Sequence, residues 1–432
     1  MKRIIIPVIL LFLTHIFMMC WFPEMIWINF SPILYLILSK KLIGTKGILS
    51  LAVLSFIAPA LATFWIASFS YMVYMIAIIG FFLIFFGFYF LILIAVKKFD
   101  VWYQMVFFVI IIYSVLYYIL YIFNFNFIIE FSAFTNLYGL TSVLGSYYVS
   151  TLTILLNSLF ALGFIYFKRI KQILYFTTLL LILFILYFSN SIYTTGDSAN
   201  NKSIDVVIVQ GNFNQTWKWR VDNISQVFET YKSLTLEATK SLTTKYRLIV
   251  WPEYAIVGDM FNKKQQYLHK IKSLAKQTSA YIVLGTIIRA NKKNYYDTAL
   301  IFSPEGEISG QYNSLYPTYF NESTEPGDEF ITFEIADKKF GLVICYEEIL
   351  PLMFEEYKRR KVTHIISLVN NMMFDHTPGM DYLLRNIRLR ASEYGIPIIR
   401  SANTGYSGII GVTGQMFFEV PIFKRSYIIG KI

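Results

Sequence analysis

Cysteine is nearly absent from this 432-residue chain, which has two, Cys20 and Cys345. That excludes a disulfide framework as the organising device. Histidine is scarce as well. His15, His269, His364 and His376 are scattered without the spacing of metal ligands, so neither a metal site nor a cofactor is expected. Charged residues make up only 15% of the chain and hydrophobic residues 56%, a poverty of charge that excludes an ordinary soluble protein. The shortage is local. Residues 1–194 hold ten Lys/Arg and three acids (Glu24, Asp100 and Glu130), and the other 28 Lys/Arg and 24 acids lie beyond. The net charge of +11 does not point to nucleic acid, because seven of those charges fall in the apolar part, where basic loops report membrane orientation.

What is there begins with seven apolar stretches, near residues 4–20, 26–39, 47–66, 70–95, 102–123, 141–167 and 172–192. A bilayer crossing takes ~20 helical residues. The first stretch follows Met1-Lys2-Arg3 with no small-residue cleavage site after it, and reads as a retained span. Lys2 and Arg3, then Lys40, Lys41 and Lys46, then Lys97 and Lys98, then Lys168, Arg169 and Lys171 fall on alternate connections. The positive-inside rule therefore predicts a cytoplasmic N-terminus, and seven crossings place everything after about residue 193 on the outer side. The expected organisation is a transmembrane domain over 1–192, a polar linker over 193–203 and an extracytoplasmic domain over 204–432.

Beyond the linker the pattern alternates. Strands are expected at Ile204–Val209, Leu248–Val250, Tyr281–Ile288, Phe330–Ile335 and 363–369, with two more flanking the turn Ser303-Pro304-Glu305-Gly306. Helices are expected at Asp222–Lys240, Lys263–Thr278, 350–360 and 379–394, and a strand group from 397 closes the chain. This alternation predicts an α/β layered domain.

Two residues carry chemistry. The apolar run Leu342–Ile344 reads as a buried strand that ends at Cys345-Tyr346-Glu347-Glu348, followed by a helical segment. A cysteine there projects from a sheet edge, where backbone N–H groups can meet a developing oxyanion. A small buried hydrophobe is the commoner fate of a lone cysteine. Glu253 follows a second buried strand in Leu-Ile-Val-Trp-Pro-Glu-Tyr, and the rigid apolar Trp251-Pro252 approach favours a desolvated carboxylate able to act as base. Taken alone it reads as a solvated loop acid. Both lie at strand ends of one α/β domain, where ligands bind, and a Cys–carboxylate pair there runs acyl transfer through a thioester.

Further motifs stand in order along the chain: Val-Gln-Gly-Asn (209–212) with Trp217-Lys218-Trp219, Trp-Pro-Glu (251–253), Cys-Tyr-Glu (345–347), Leu-Val-Asn-Asn (368–371), and Arg390-Ala-x-Glu-x-Gly-x-Pro-x-x-Arg400-x-x-Asn403-x-Gly405. With Phe-Pro-x-x-x-Trp at Phe22–Trp27, they resemble the apolipoprotein N-acyltransferases, a membrane branch of the nitrilase (carbon–nitrogen hydrolase) superfamily. The resemblance implies a nitrilase-like α-β-β-α sandwich outside the membrane and a Glu–Lys–Cys triad. Glu253 is then the base, Cys345 the nucleophile and Glu347 a supporting acid, with substrate contacts expected from Trp251, Tyr346, Asn370 and Arg400. The implied donor is a phospholipid and the implied acceptor a diacylglyceryl-cysteine lipoprotein. The implied place is the bacterial cytoplasmic (inner) membrane, with the catalytic domain periplasmic and the protein a monomer in the lipid bilayer.

The chain departs from the family at its lysine. The family's Tyr-x-Lys-x-x-Leu-Val-Pro corresponds to Gly310-Gln-Tyr-Asn-Ser-Leu-Tyr-Pro317, so Tyr312 stands in the lysine's place, and no Lys or Arg lies between Lys293 and Lys338. The family's Phe-Gly-Glu and its last span also lack counterparts before Ile432. Three readings stay open: the acyltransferase, a membrane-tethered amidase on the same scaffold, and a lipid- or lipoprotein-binding pseudoenzyme.

Overall fold

The computed structural model describes residues 31–38, 40, 44–68, 70–99, 101–123, 130–135, 137–166, 171, 174–179, 181–182, 185, 203–262, 264–318 and 323–432. Cys20, the element Phe22–Trp27, the first expected span, most of the last and nearly all of the linker lie outside the described residues. The chain divides into two compact units, Met1–Thr195 with Thr377–Gly379, and Gly196–His376 with Met380–Ile432.

The first unit is helical: α1 (Ser31–Leu38), α2 (Thr45–Ala62), α3 (Tyr71–Lys98), α4 (Trp102–Ile122), α5 (Tyr138–Leu144) and α6 (Ser146–Tyr166). Among the described residues α3, α4 and α6 are long and apolar enough to cross a membrane. The stretch expected as one helix over 141–167 is two. Gly145 breaks it with φ 86°, a backbone angle that disfavours any side chain, and α6 starts only at Ser146. Glu130 is buried in this unit, and its Oε1 accepts hydrogen bonds from Tyr117 (2.8 Å) and Ser146 (3.0 Å), which offset the cost of removing an acid from water.

In the second unit twelve strands form two six-stranded sheets. The first holds β1 (Ile204–Gln210), β2 (Tyr246–Val250), β3 (Tyr281–Arg289), β4 (Tyr295–Phe302), β5 (Ile308–Asn313) and the last strand, β12 (Ser426–Lys431), in the order β12-β1-β2-β3-β4-β5. The second holds β6 (Thr332–Ile335), β7 (Lys338–Ile344), β8 (His364–Val369), β9 (Ile398–Ala402), β10 (Ser407–Ile410) and β11 (Met416–Val420), in the order β11-β10-β9-β8-β7-β6. Each sheet has three parallel strands at its centre, β1-β2-β3 and β7-β8-β9, and antiparallel strands outside them. Every residue of β1 is buried, as a strand covered on both faces requires.

Side-chain alternation builds the layers. Val207, Val209, Ile249, Ile282 and Leu284 share one core with Ile224, Phe228 and Tyr231 of helix α8 (Ile224–Thr239) and Ile271 and Leu274 of α9 (Gln265–Thr278); a four-residue helix, α7 (Gln215–Lys218), precedes them. The two sheets meet through their other faces, where Ser401 Oγ of β9 donates to the Val209 carbonyl at 3.2 Å. Helix α10 (Pro351–Arg359) is pinned to β7 by Tyr357 Oη, which donates to the Leu342 carbonyl (2.6 Å) and accepts from its N–H (3.1 Å). With α11 (Gly379–Tyr394) this gives helices, two sheets and helices, the expected α-β-β-α order. The helix expected near 350–360 runs from Pro351 to Arg359, and the residues between it and β7, Cys345–Ile349, form a tight 3-10 turn.

Candidate active site

The parallel strands of both sheets deliver their C-terminal ends to one place. Glu253 follows β2, Cys345 follows β7, Asn370 follows β8, and Asn403 follows β9. Three of the connecting residues take left-handed backbone angles: Asn212 (φ 48°), Tyr254 (φ 51°) and Cys345 (φ 53°). Non-glycine residues adopt this region at a cost, and it persists where the surrounding structure fixes it. The Trp251–Glu253 segment lies on β3 so closely that a Cβ on Gly285 would come within 2.5 Å of Glu253 Cα, which explains the glycine.

Glu253 is 3% exposed, and Asp297 of β4, Lys218, Cys345 and the Asn370 backbone lie close enough to act on its carboxylate. Asp297 is buried too, and its Oδ2 accepts a 2.8 Å bond from Tyr254 Oη. Its Oδ1 and Glu253 Oε2 have no hydrogen-bond partner among the described residues. Two neighbouring buried carboxylates repel, which favours the protonated form of one of them. Burial first and then the neighbouring Glu253 charge push the Asp297 carboxyl well up, which favours Asp297 as the protonated member. Burial also raises Glu253, to about 7, opposed by the Asp297 side chain and the Lys218 charge.

Lys218 closes α7 and is fully buried, with no hydrogen-bond partner for Nζ among the described residues. Burial lowers its ammonium to about 7 against the pull of Glu253 and Asp297. Cys345 is the partly exposed member of this cluster. The surrounding protein still desolvates its thiol, and burial followed by the Glu253, Asp297 and Glu348 charges pushes it well up. The resting group is therefore a thiol beside a base, and attack needs proton removal as it happens.

The two acids after Cys345 face different partners. Glu347 Oε1 accepts from Ser314 Oγ (3.0 Å), Leu315 N (2.6 Å) and Tyr316 N (3.0 Å), Oε2 accepts from Ile344 N (2.7 Å), and Tyr312 Oη reaches both oxygens at 2.9 and 2.8 Å. Glu348 is bound by Arg400 through Nε (2.9 Å) and Nη2 (2.8 Å), and by Ser367 Oγ (2.7 Å). The Arg400 guanidinium is thus spent on a buried carboxylate, and the Tyr312 hydroxyl on Glu347. Trp251 is a core residue, stacked on Tyr231 at 5.1 Å with Nε1 donating to Thr235 Oγ1 at 2.9 Å. Asn370 Nδ2 donates to Gln215 Oε1 at 2.5 Å, and its Oδ1 accepts from Asn403 Nδ2 at 3.0 Å, tying α7 to the end of β8. Tyr346 is half-buried beside Cys345.

Asp297 and Lys218 escaped the sequence reading as site residues. Asp297 sits mid-strand in Tyr-Tyr-Asp-Thr-Ala-Leu, where strand pairing alone looks sufficient, but a charged residue in an otherwise buried strand was a usable signal. Lys218 lay inside a noted motif, and a lysine between two tryptophans is ordinarily a surface group.

Residues 206–432 match the carbon-nitrogen hydrolase family. Similar curated proteins include the apolipoprotein N-acyltransferases of Geobacter metallireducens (23% identical, over 52% of this chain and 47% of that protein) and Wigglesworthia glossinidia brevipalpis (24%, over 68% and 62%). The chain spans about half the length of the curated relatives it matches. Among solved structures, an amidase from the nitrilase superfamily of Nesterenkonia is 14% identical, with 55% of this chain and 93% of that one covered at a TM-score of 0.45. Over more than half its length, and with every residue of the cluster inside the matched segment, the chain belongs to the carbon-nitrogen hydrolase family.

Proposed function

We propose that this chain is a membrane N-acyltransferase that carries an acyl group from a phospholipid, as a Cys345 thioester, to the N-terminal amine of a diacylglyceryl-cysteine lipoprotein. The observation that carries the reading is the convergence of Glu253 and Cys345, which act on each other's charge at strand ends of the two sheets, in a chain that among its described residues also holds three helices apolar and long enough to cross a membrane. Trp219 adds support. It is 41% exposed and packs edge-on against Tyr254 at 5.4 Å, an apolar surface beside the cluster suited to an acyl chain. The names of the similar curated proteins support the same acceptor class. On this reading the protein is a multi-pass monomer of the bacterial inner membrane with residues 204–432 periplasmic.

The chemistry follows from the proton inventory. Cys345 Sγ attacks the ester carbonyl carbon while Glu253 takes the thiol proton, and the carbonyl electron pair moves onto oxygen. Collapse breaks the ester C–O bond, and the lysophospholipid leaves as an alcohol with the proton Glu253 holds. The acceptor amine then attacks the thioester, gives its proton to Glu253, and releases Cys345, which recovers the proton. A base near 7 suits both directions of transfer.

The test supplies phospholipid together with a synthetic diacylglyceryl-cysteine peptide. The expected product is the N-acylated peptide, lost in Cys345→Ala and reduced at least ~10²-fold in Glu253→Gln. Amide hydrolysis without peptide acylation would assign the chain to the amidases. Lipid binding with neither product would leave a binding protein, the reading that Tyr312 in the lysine's place favours.

A further inference from the structure

The site lacks a cation where the family keeps one, yet it holds a buried cation that nothing else uses. Tyr312 cannot supply charge, and its hydroxyl is engaged by both oxygens of Glu347. Lys218 arrives from the same sheet as Tyr312, on the loop after β1. Its helix is fixed by Asn214, whose Oδ1 accepts from Trp217 N at 3.2 Å, and by Gln215, which accepts from Asn370. Its neighbour Trp219 packs on Tyr254, the residue that holds Asp297. Gln215 and Trp219 are thus both held in place, and Lys218 between them buries an ammonium with no hydrogen bond among the described residues. A buried ammonium without hydrogen bonds is costly unless its charge is used.

We propose that Lys218 supplies the positive charge of this active site, taking over from the loop after β1 the electrostatic task that the family assigns to the position of Tyr312. Lys218 holds Glu253 in its ionised, proton-accepting form, and its free N–H donors favour the negative oxygen of the tetrahedral intermediate. Asp297 makes this possible by keeping its proton, so that one cation faces one carboxylate. The ionisable groups that act on Lys218 and Glu253 are Asp297 of β4 and Cys345 after β7; Tyr254 and Glu347 act in turn on Asp297, and Glu348 on Cys345. The inference rests on Cys345 as the nucleophile and Glu253 as its base.

Alkylation of Cys345 by iodoacetamide, followed by peptide mass spectrometry on the full-length protein in lipid nanodiscs, needs no acyl donor. A wrong donor or acceptor therefore leaves this test standing. In wild type the rate falls as pH drops through the Glu253 range near 7. Lys218→Met is expected to lower the rate at pH 7 by about tenfold or more and to move this acid limb to higher pH, because Lys218 holds Glu253 down. Lys218→Arg keeps the charge and is expected to keep the limb in place. Adding Tyr312→Lys to Lys218→Met is expected to recover part of the rate, which a purely structural lysine would not permit. If Lys218→Met fails to fold, Lys218→Arg against Lys218→Gln decides in the same way. A charge-free variant with the wild-type limb and rate overturns the assignment.

Discussion

Tyr254 Oη donates a 2.8 Å hydrogen bond to Asp297 Oδ2, which fixes one oxygen of that buried acid. Asp297 beside Glu253 acts to lower the Glu253 carboxyl, against the burial that raises it to about 7. Asp297→Ala removes this influence, so Glu253 rises and the acid limb of Cys345 alkylation moves to higher pH. Asp297→Asn still offers an N–H and is expected to stay closer to wild type. A limb that moves to lower pH in the alanine variant contradicts this role for Asp297.

Gly285 leaves room for the Trp251–Glu253 segment, since a Cβ there would lie 2.5 Å from Glu253 Cα and 2.8 Å from the Pro252 carbonyl oxygen. Gly285→Ala must push the base away from Cys345. The expected result is an acylation rate down by ~10²-fold, as ångström-scale misplacement of a catalytic group produces, with a stability loss of only ~1–3 kcal/mol from overpacking. Rates measured beside thermal unfolding check this, and a variant that loses stability but keeps its rate places the base elsewhere.

Arg400 and Glu348 form a two-point buried pair whose loss on one side strands the other charge. Glu348→Ala is expected to cost ~3–5 kcal/mol, and Arg400→Met with Glu348→Leu much less than either change alone. Unfolding midpoints of the three variants separate this structural role from substrate binding. Arg400→Met that leaves stability intact and weakens donor binding would return Arg400 to the substrate.

On the proposed topology, read from the alternating basic connections, residues 204–432 lie outside the cytoplasm. A reporter fused after Asn201 is expected to be active only there. A cytoplasmic signal from the same fusion means an even number of crossings.

The layered domain was legible because both of its signals are strong. Apolar runs such as Ile204–Val209 and Leu342–Ile344 are bounded by turns, and amphipathic segments such as Lys263–Thr278 have helical period; their observed counterparts agree within a few residues. Gly145 was harder to read, since one glycine inside an apolar stretch is often tolerated, and only its φ of 86° shows the break. Glu253 and Cys345 could be paired in advance because strand ends of one α/β domain converge. Asp297 and Lys218 could not. Their importance lies in which residues neighbour them across strands far apart in sequence, and in burial that the local pattern hides. Trp251 and Arg400 show the converse: residues inside family motifs whose observed bonds are with Thr235 and Glu348, partners that fix the scaffold.

The central claim is that Cys345 takes an acyl group from a phospholipid, and an intact-mass measurement reaches it most directly. Protein incubated with phospholipid and no acceptor is expected to gain one acyl mass, mapped to the Cys345 peptide and removed by hydroxylamine. Cys345→Ala is expected to gain nothing. A wild-type protein that binds the phospholipid yet never gains the mass, from pH 6 to pH 8, contradicts the account.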